Sequence, residues 1–195
     1  MLAAVILSGG SSSRMGSPKA LLPYQGRAFL DHLLEITHHP NIGLRRVVLG
    51  ADAEPIAKAI DLAADEIVIN AEWEKGQLSS IHAALHSLPP GTDGMLLFLI
   101  DHPLISAALV ESLIKLFHAS HAPIVLPVFE GKRGHPVLFS AKLYAELENA
   151  SLEVGARAVV WAHTREVAEH HTIEEGCVLN LNDPKEFARI TNTDF

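Results

Sequence analysis

The sequence predicts an α/β protein: a three-layer, Rossmann-like open sheet whose strands are mainly parallel. Apolar runs of strand length alternate with amphipathic helical patterns along most of the chain. The two most apolar runs, Ala3–Leu7 and Met95–Ile100, lack the in–out alternation of a half-solvated strand, as central strands covered on both faces do. Glycines and polar residues follow these runs directly (Gly9-Gly10 and Asp101). Open parallel sheets bind their ligands there, at the carboxyl ends of the strands.

In order, the first strand ends at Leu7 and runs into a serine- and glycine-rich loop, and the spacing predicts a helix over 28–37. Arg45–Gly50 reads as a strand, 53–63 as a helix, and Glu66–Ile69 as a short strand ending at Asn70. Leu78, Ile81, Leu85 and Leu88 mark a helix over 77–88 before the strand Met95–Ile100. Val110, Leu113, Ile114 and Phe117 mark the next helix, and Ile124–Val128 the next strand. Pro127, Gly131, Gly134 and Pro136 then punctuate a loop leading into Val137–Phe139. Helices over 140–148 and 154–163, strand-like runs at 165–169 and 177–181, and a last helix opened by Asp183-Pro184 complete the reading. No linker or repeat divides the 195 residues, so one domain over 1–195 is expected.

Composition narrows the functional classes. A net charge of −8 argues against a nucleic-acid or membrane-surface partner, each of which favours a basic face. Cys177 is the only cysteine, so no disulfide forms within the chain, as suits a reducing compartment. The apolar start is short and lacks a basic leader, and no run approaches the roughly 20 apolar residues of a membrane span. A cytoplasmic location is expected.

The segment Leu7-Ser-Gly-Gly-Ser-Ser-Ser-Arg-Met-Gly16, with Lys19, carries most of the functional information. Adjacent glycines after a buried strand expose backbone N–H groups to an incoming anion, phosphate above all. Arg14 and Lys19 add two cations to that loop in an acidic chain, which a plain serine-rich turn does not account for. The spacing fits neither a Walker loop, since Lys19 is followed by alanine, nor a Gly-x-Gly-x-x-Gly fingerprint, since Gly9 and Gly10 are adjacent. A triphosphate site is the reading. Asp101, ending the most apolar strand, is placed to hold a Mg²⁺ that bridges phosphates; the alternative is a cap before Ser106.

At this point the chain resembles a known family. Gly9-Gly10 through Lys19, Gly76–Leu85, Asp101-His102-Pro103, Gly134-His135-Pro136 and Asn180–Glu186 occur in the order seen in the molybdenum-cofactor nucleotidyltransferases. The likeness extends over nearly the whole chain and is greatest to the cytidylyltransferase-like branch. It implies a sheet of the nucleotide-diphospho-sugar transferase type and Mg²⁺-dependent transfer of a nucleoside monophosphate from an NTP, CTP first and GTP second. The implied acceptor is a small phosphorylated molecule of the molybdopterin type, with pyrophosphate released. A hand-over of product to a molybdoenzyme or its chaperone follows from the same resemblance.

The resemblance also implies residue roles. Ser8, Gly9, Gly10, Ser11, Ser12 and Ser13 would cradle the triphosphate, with Arg14 and Lys19 neutralising charge on it. Asn70 and the segment Gly76-Gln77-Leu78-Ser79-Ser80 would line base and ribose, with Ser80 opening its helix. Gly134 and His135 would face the acceptor. Asp101 would be the first metal ligand and Asn182 the second. The chain departs from its relatives there: it reads Asn180-Leu-Asn-Asp-Pro-Lys-Glu186, so the second metal position carries an oxygen without a charge, and Asp183 either compensates or caps the last helix. Because the acceptor phosphate is itself the nucleophile, no general base is expected among the twelve histidines.

Other readings fit less well. His82/His86 and His118/His121 sit one turn apart, but no Glu follows His82 to make a metalloprotease motif and no cysteine pair supports a zinc site. Cys177 reads as a small core residue. A sugar-phosphate nucleotidyltransferase shares the loop logic, though such enzymes follow the loop arginine with leucine where this chain has Met15. A non-catalytic nucleotide sensor would keep the loop and release no pyrophosphate.

Overall fold

The computed structural model describes residues 1–11 and 16–182. Its elements are β1 (Leu2–Ser8), β2 (Pro23–Tyr24), β3 (Arg27–Ala28), α1 (Phe29–Ile36), β4 (Ile42–Leu49), α2 (Ala53–Ala59), β5 (Ile67–Ile69), α3 (Gln77–Ser87) and β6 (Gly94–Leu99). They continue with α4 (Ala107–Ser120), β7 (Ile124–Phe129), β8 (Lys132–Arg133), β9 (Val137–Ser140), α5 (Tyr144–Glu148), α6 (Arg157–Ala162) and β10 (Val167–His171).

Side-chain alternation in β1 explains the three layers. Leu2, Ala4 and Ile6 pack with Leu30 and Leu33 of α1, Ile56 of α2 and Val110, Leu113 and Ile114 of α4. Ala3, Val5 and Leu7 point the other way, onto Leu78, Ile81 and Leu85 of α3, Leu147 of α5 and Val159 of α6. Every residue from Leu2 to Leu7 is buried, which is why β1 reads as an unbroken apolar run rather than an alternating one.

The sheet order is β10-β7-β9-β6-β1-β4-β5, with β8 paired to β7 and a separate β2–β3 hairpin. β1 runs parallel to both β4 and β6. The chain first builds outward through β4 and β5, then crosses to the other side of β1 with β6. That reversal makes a crevice at the carboxyl ends of β1 and β6. β9 lies antiparallel between β6 and β7, and β10 rejoins β7 in parallel. The sheet is therefore mainly parallel, with one inserted strand and one short hairpin strand reversed.

Several boundaries differ from the sequence reading. The helix expected over 53–63 stops at Ala59, where Ile60 turns extended and buries its side chain. The stretch expected as helix from 140 begins as a 3-10 turn and becomes helical at Tyr144. The helix over 154–163 is confined to Arg157–Ala162. The strand-like run 177–181 joins no sheet: Cys177 carbonyl accepts from His135 N–H and Leu181 N–H donates to Asp101 carbonyl, so its backbone is used to tie loops together. The C-terminal helix expected from Asp183 lies outside the described residues.

Candidate active site

At the β1/β6 crevice, Ser8, Gly9, Gly10, Ser11, Lys19, Gly76, Ser80 and Asp101 line one cleft of about 220 Å³. Stretches distant in sequence meet there because β1 and β6 are adjacent and α3 packs across β1. Ser12, Ser13 and Arg14 lie outside the described residues.

Close backbone approach shapes the loop. A methyl group at Gly9 would come within 2.5 Å of Ser80 Oγ, and one at Gly50 would strike the Gly9 carbonyl and lie 2.7 Å from Trp73 Cβ. The Gly9 carbonyl accepts from Ala51 N–H at 3.2 Å, so the loop after β4 fixes the loop after β1. Gly76, with φ +93°, caps α3 in a conformation that disfavours any side chain. It turns the chain so that Gln77 and Ser80 face the cleft.

Asn70 and Ser79 take a supporting place. Both are buried and neither lines the cleft. Asn70 Nδ2 donates to Ser79 Oγ at 2.8 Å and to Ser80 Oγ at 3.0 Å, while its Oδ1 accepts from Glu72 N–H at 2.9 Å. This network satisfies buried polar groups that would otherwise be costly, and it sets Ser80 against Gly9. Ser80 sits in the first turn of α3 rather than at its opening, since the helix begins at Gln77.

On the other side, Lys19 Nζ donates to Asn182 Oδ1. Leu181 N–H reaches the Asp101 carbonyl at 2.8 Å, drawing the Asn180–Asn182 segment against the end of β6. Asn180 Oδ1 is buried with no hydrogen-bond partner among the described residues. One carboxylate with neighbouring amide oxygens is a hard-oxygen set of the sort that completes a Mg²⁺ or Mn²⁺ shell together with substrate phosphates. No cluster of three or more His, Cys, Asp or Glu exists among the described residues. The residues fit a cation that arrives with a nucleotide.

Next to Asp101 is a pair of histidines. His102 and His135 have ring centroids 5.0 Å apart, and His102 Nε2 lies 3.9 Å from Asp101 Oδ1. Burial lowers the His102 pKa against the opposing pull of Asp101. Burial, helped by His102, pushes His135 down to about 4. A neutral imidazole is thus what His135 presents at neutral pH.

Gly134 and His135 line a second cavity of about 480 Å³, which shares Gln77 with the first. A side chain at Gly134 would meet the Cys177 carbonyl at 2.5 Å. Cys177 is buried with a raised thiol pKa from desolvation, in keeping with a packing role. Sequence reasoning missed Trp73 in the first cleft and Arg133, Arg157 and Trp161 in the second, while Gln77 lines both cavities as part of the segment 76–80 that the sequence singles out. An aromatic in the loop after the third parallel strand was the available signal for Trp73. None existed for the others, whose elements meet only through the fold.

A model of the MobA-like NTP transferase domain matches residues 4–167. The chain belongs to that family. It is 31% identical over 164 residues to nicotine blue oxidoreductase of Paenarthrobacter nicotinovorans, covering 78% of each protein. Bifunctional protein GlmU of Sinorhizobium medicae is 34% identical over 114 residues, 56% of this chain but only a quarter (25%) of GlmU. Among solved structures, Rv0371c of Mycobacterium tuberculosis superposes with a TM-score of 0.84 at 25% identity, covering 99% of both chains. A second structure of that protein, in complex with manganese, superposes with a TM-score of 0.76 at 22% identity, again over 99% of both chains. The chain is a nucleotidyltransferase by family. Among the described residues, no helix is long and apolar enough to cross a membrane.

Proposed function

We propose that the chain, acting as one nucleotidyltransferase domain, transfers a nucleoside monophosphate from an NTP to a small phosphorylated acceptor of the molybdopterin type, releasing pyrophosphate. CTP is the first choice of donor and GTP the second. One observation carries this reading: the cleft that joins the Gly9–Ser11 loop, Lys19 and Asp101 neighbours the cavity holding Gly134 and His135, the two sharing Gln77 as a lining residue. A donor in the first and an acceptor in the second would lie side by side across Gln77.

Backbone N–H groups of the loop would hold the triphosphate, with Lys19, and Arg14 by family resemblance, balancing its charge. An acceptor phosphate oxygen forms the new bond to the α-phosphorus as the bond to the β-phosphate oxygen breaks, and that electron pair leaves with pyrophosphate. The nucleophile is already an anion, so orientation and charge neutralisation supply the acceleration. A divalent cation held by Asp101 and the Asn180–Asn182 segment would supply further positive charge to the phosphates when bound. Manganese in a structure of similar fold supports a divalent ion, with Mg²⁺ the expected one. Asp183, the other candidate ligand, lies outside the described residues. His135, neutral at pH 7, would face the acceptor without serving as an essential base.

The test is a thermal-melt panel of CTP, GTP, ATP and UTP with and without Mg²⁺ or Mn²⁺, run on wild type and Asp101→Ala, followed by pyrophosphate release with phosphorylated acceptors. A nucleotide at about 100 times its Kd adds roughly 2.7 kcal/mol, a shift of a few degrees. The expected result is a metal-dependent shift with CTP that Asp101→Ala loses. No shift with any nucleotide overturns the reading. A sugar phosphate is the second acceptor class, and binding without pyrophosphate release from any acceptor would mark a sensor.

A further inference from the structure

β5 is short, and its shortness leaves a gap at the other end of the sheet from the candidate active site. β5 pairs with β4 only at Val47, Val48 and Leu49, whereas β1 pairs with β4 from Ile42 onward. Residues 42–46 of β4 therefore have a strand neighbour on one side only. Where a longer β5 would lie there is a cavity of about 490 Å³, walled by residues 37–40 after α1, by residues 42–46, and by Ala63, Asp65 and Glu66. These walls stand at the amino ends of the strands. β4 runs roughly 25 Å from here to Gly50, beside the Gly9 loop.

Two arginines border this gap, and the protein uses them differently. Arg45 is committed: its Nε donates to Glu66 Oε1 at 2.7 Å and its Nη1 to His38 Nε2 at 2.9 Å. Glu66 is occupied in turn, because Oε2 accepts from Ala63 N–H at 3.0 Å. Arg46 has no carboxylate partner among the described residues. Its Nη1 donates to the Arg45 carbonyl at 2.8 Å and its Nη2 to the Ser87 carbonyl at 3.4 Å. Two main-chain carbonyls thus orient the guanidinium without neutralising it, in a chain of net charge −8. Charges taken partly out of water are ordinarily paired. His39 adds a donor: its Nδ1 accepts from Asn41 N–H at 3.1 Å, which puts the proton of the neutral ring on Nε2. Asp65 is the other acid on the wall, and it is exposed, where water and salt screen its charge.

We propose that this cavity is a separate binding site for a phosphate group, free or carried on a small monoester. The Arg46 fork meets two phosphate oxygens, the geometry guanidinium groups favour, and His39 Nε2–H meets a third. Ile42 and Leu44 on the same wall give the body of an ester an apolar surface. A carboxylate has only two oxygens and would leave the His39 donor unused. The site is independent of whatever occupies the Gly9–Asp101 cleft, with which it shares no lining residue.

The imidazole NMR signals of His38 and His39, assigned with His38→Gln and His39→Gln, report on this cavity, since neither ring lines the other two. Titrating the full chain with inorganic phosphate should move both signals to a plateau, and chloride at equal ionic strength should move them far less. Arg46→Met is expected to weaken phosphate roughly tenfold or more. Arg46→Lys should weaken it less, since lysine keeps the charge and loses the fork. Arg46 also holds the Ser87 carbonyl, so melting curves without phosphate show whether each variant folds. His39→Gln, read through His38, is the second variant, with a several-fold weaker affinity expected. Glycerol 3-phosphate separates the two sources: tighter binding than inorganic phosphate assigns the site to an ester, and equal or weaker binding assigns it to free phosphate. Three results would overturn the site: chloride or acetate as effective as phosphate, wild-type phosphate affinity in both Arg46→Met and His39→Gln, or His38 and His39 signals that phosphate leaves in place.

Discussion

The cleft proposed for the nucleotide is walled largely by backbone and small side chains, Ser8, Gly9, Gly10, Ser11 and Gly76, together with Lys19 and Asp101. The cavity beyond Gln77 is walled by large side chains from β7, β9 and α6: Leu126, Phe139, Arg157 and Trp161. The first needs strand, loop and glycine in fixed order, since N–H groups contact an anion only where nothing stands in front of them. The second needs only a concave apolar surface, which different side chains can furnish. On the proposed function, donor binding would be tied to main-chain geometry and acceptor choice to replaceable side chains. The two clefts should fail in different ways when disturbed.

The most damaging change should come at a residue that touches no ligand. Gly50→Ala places a methyl against the Gly9 carbonyl and Trp73 Cβ, and backbone cannot yield as a side-chain tip can. Overpacking of this kind costs roughly 1–3 kcal/mol. CTP affinity measured by melting shift should fall at least tenfold, since the loop must move to relieve the contact. The KM for a phosphorylated acceptor, read by pyrophosphate release, should stay within about twofold. Equal loss in both clefts would show that they are one mechanical unit.

That asymmetry also explains what the sequence disclosed. Gly9, Gly10 and Asp101 were legible because each lies just past a buried strand, and topology brings strand ends together; Lys19 was legible as a cation close in sequence to the same loop. Asn70 and Ser79 were legible as important polar residues, yet their mutual hydrogen bonds hold them behind the wall, which spacing cannot reveal. The antiparallel insertion of β9 left no periodic signature, because a four-residue buried run looks the same in either direction. Arg157 and Trp161 stand on a six-residue helix whose neighbour across the cavity comes from β7 and β9. Such long-range pairings are what a pattern of local periodicity omits.

Acid should separate the buried histidines from the rest. His135 has its pKa pushed down to about 4 by burial and by His102, whereas the unfolded chain titrates near 6.5. A depressed folded value means the stabilisation is complete above about pH 6.5 and is lost progressively as pH falls toward 4. The loss is up to roughly 3 kcal/mol. Urea midpoints between pH 7 and pH 4 should fall steeply in wild type and less steeply in His135→Gln. Parallel slopes would place the acid sensitivity elsewhere, with His102 the next group to vary.

The smallest effect should come from the far wall of the second cavity, with the opposite sign. His163 Nε2 meets Glu146 of α5 at 2.8 Å and its Nδ1 meets Glu166 at 2.8 Å, fastening the end of α6 to both. Hydrogen bonds to the two carboxylates raise its pKa above the ordinary value of 6.5. A raised folded value gives stabilisation that is complete below about pH 6.5 and lost as pH climbs through the folded pKa. With both glutamates largely solvated, 48% and 60% exposed, the contribution is about 1 kcal/mol or less. His163→Gln should therefore lower the melting temperature by a degree or two at pH 6 and by nothing measurable at pH 9. The same substitution should raise the KM for a phosphorylated acceptor more at pH 6 than at pH 9, because Trp161 and Arg157 of the second cavity ride on the helix that His163 tethers. CTP affinity should not change at either pH, since Gly9, Gly50 and Ser80 hold their loop without reference to α6. A His163→Gln protein that lost CTP binding at pH 6 would erase the contrast between a donor cleft built from backbone and an acceptor cavity built from side chains.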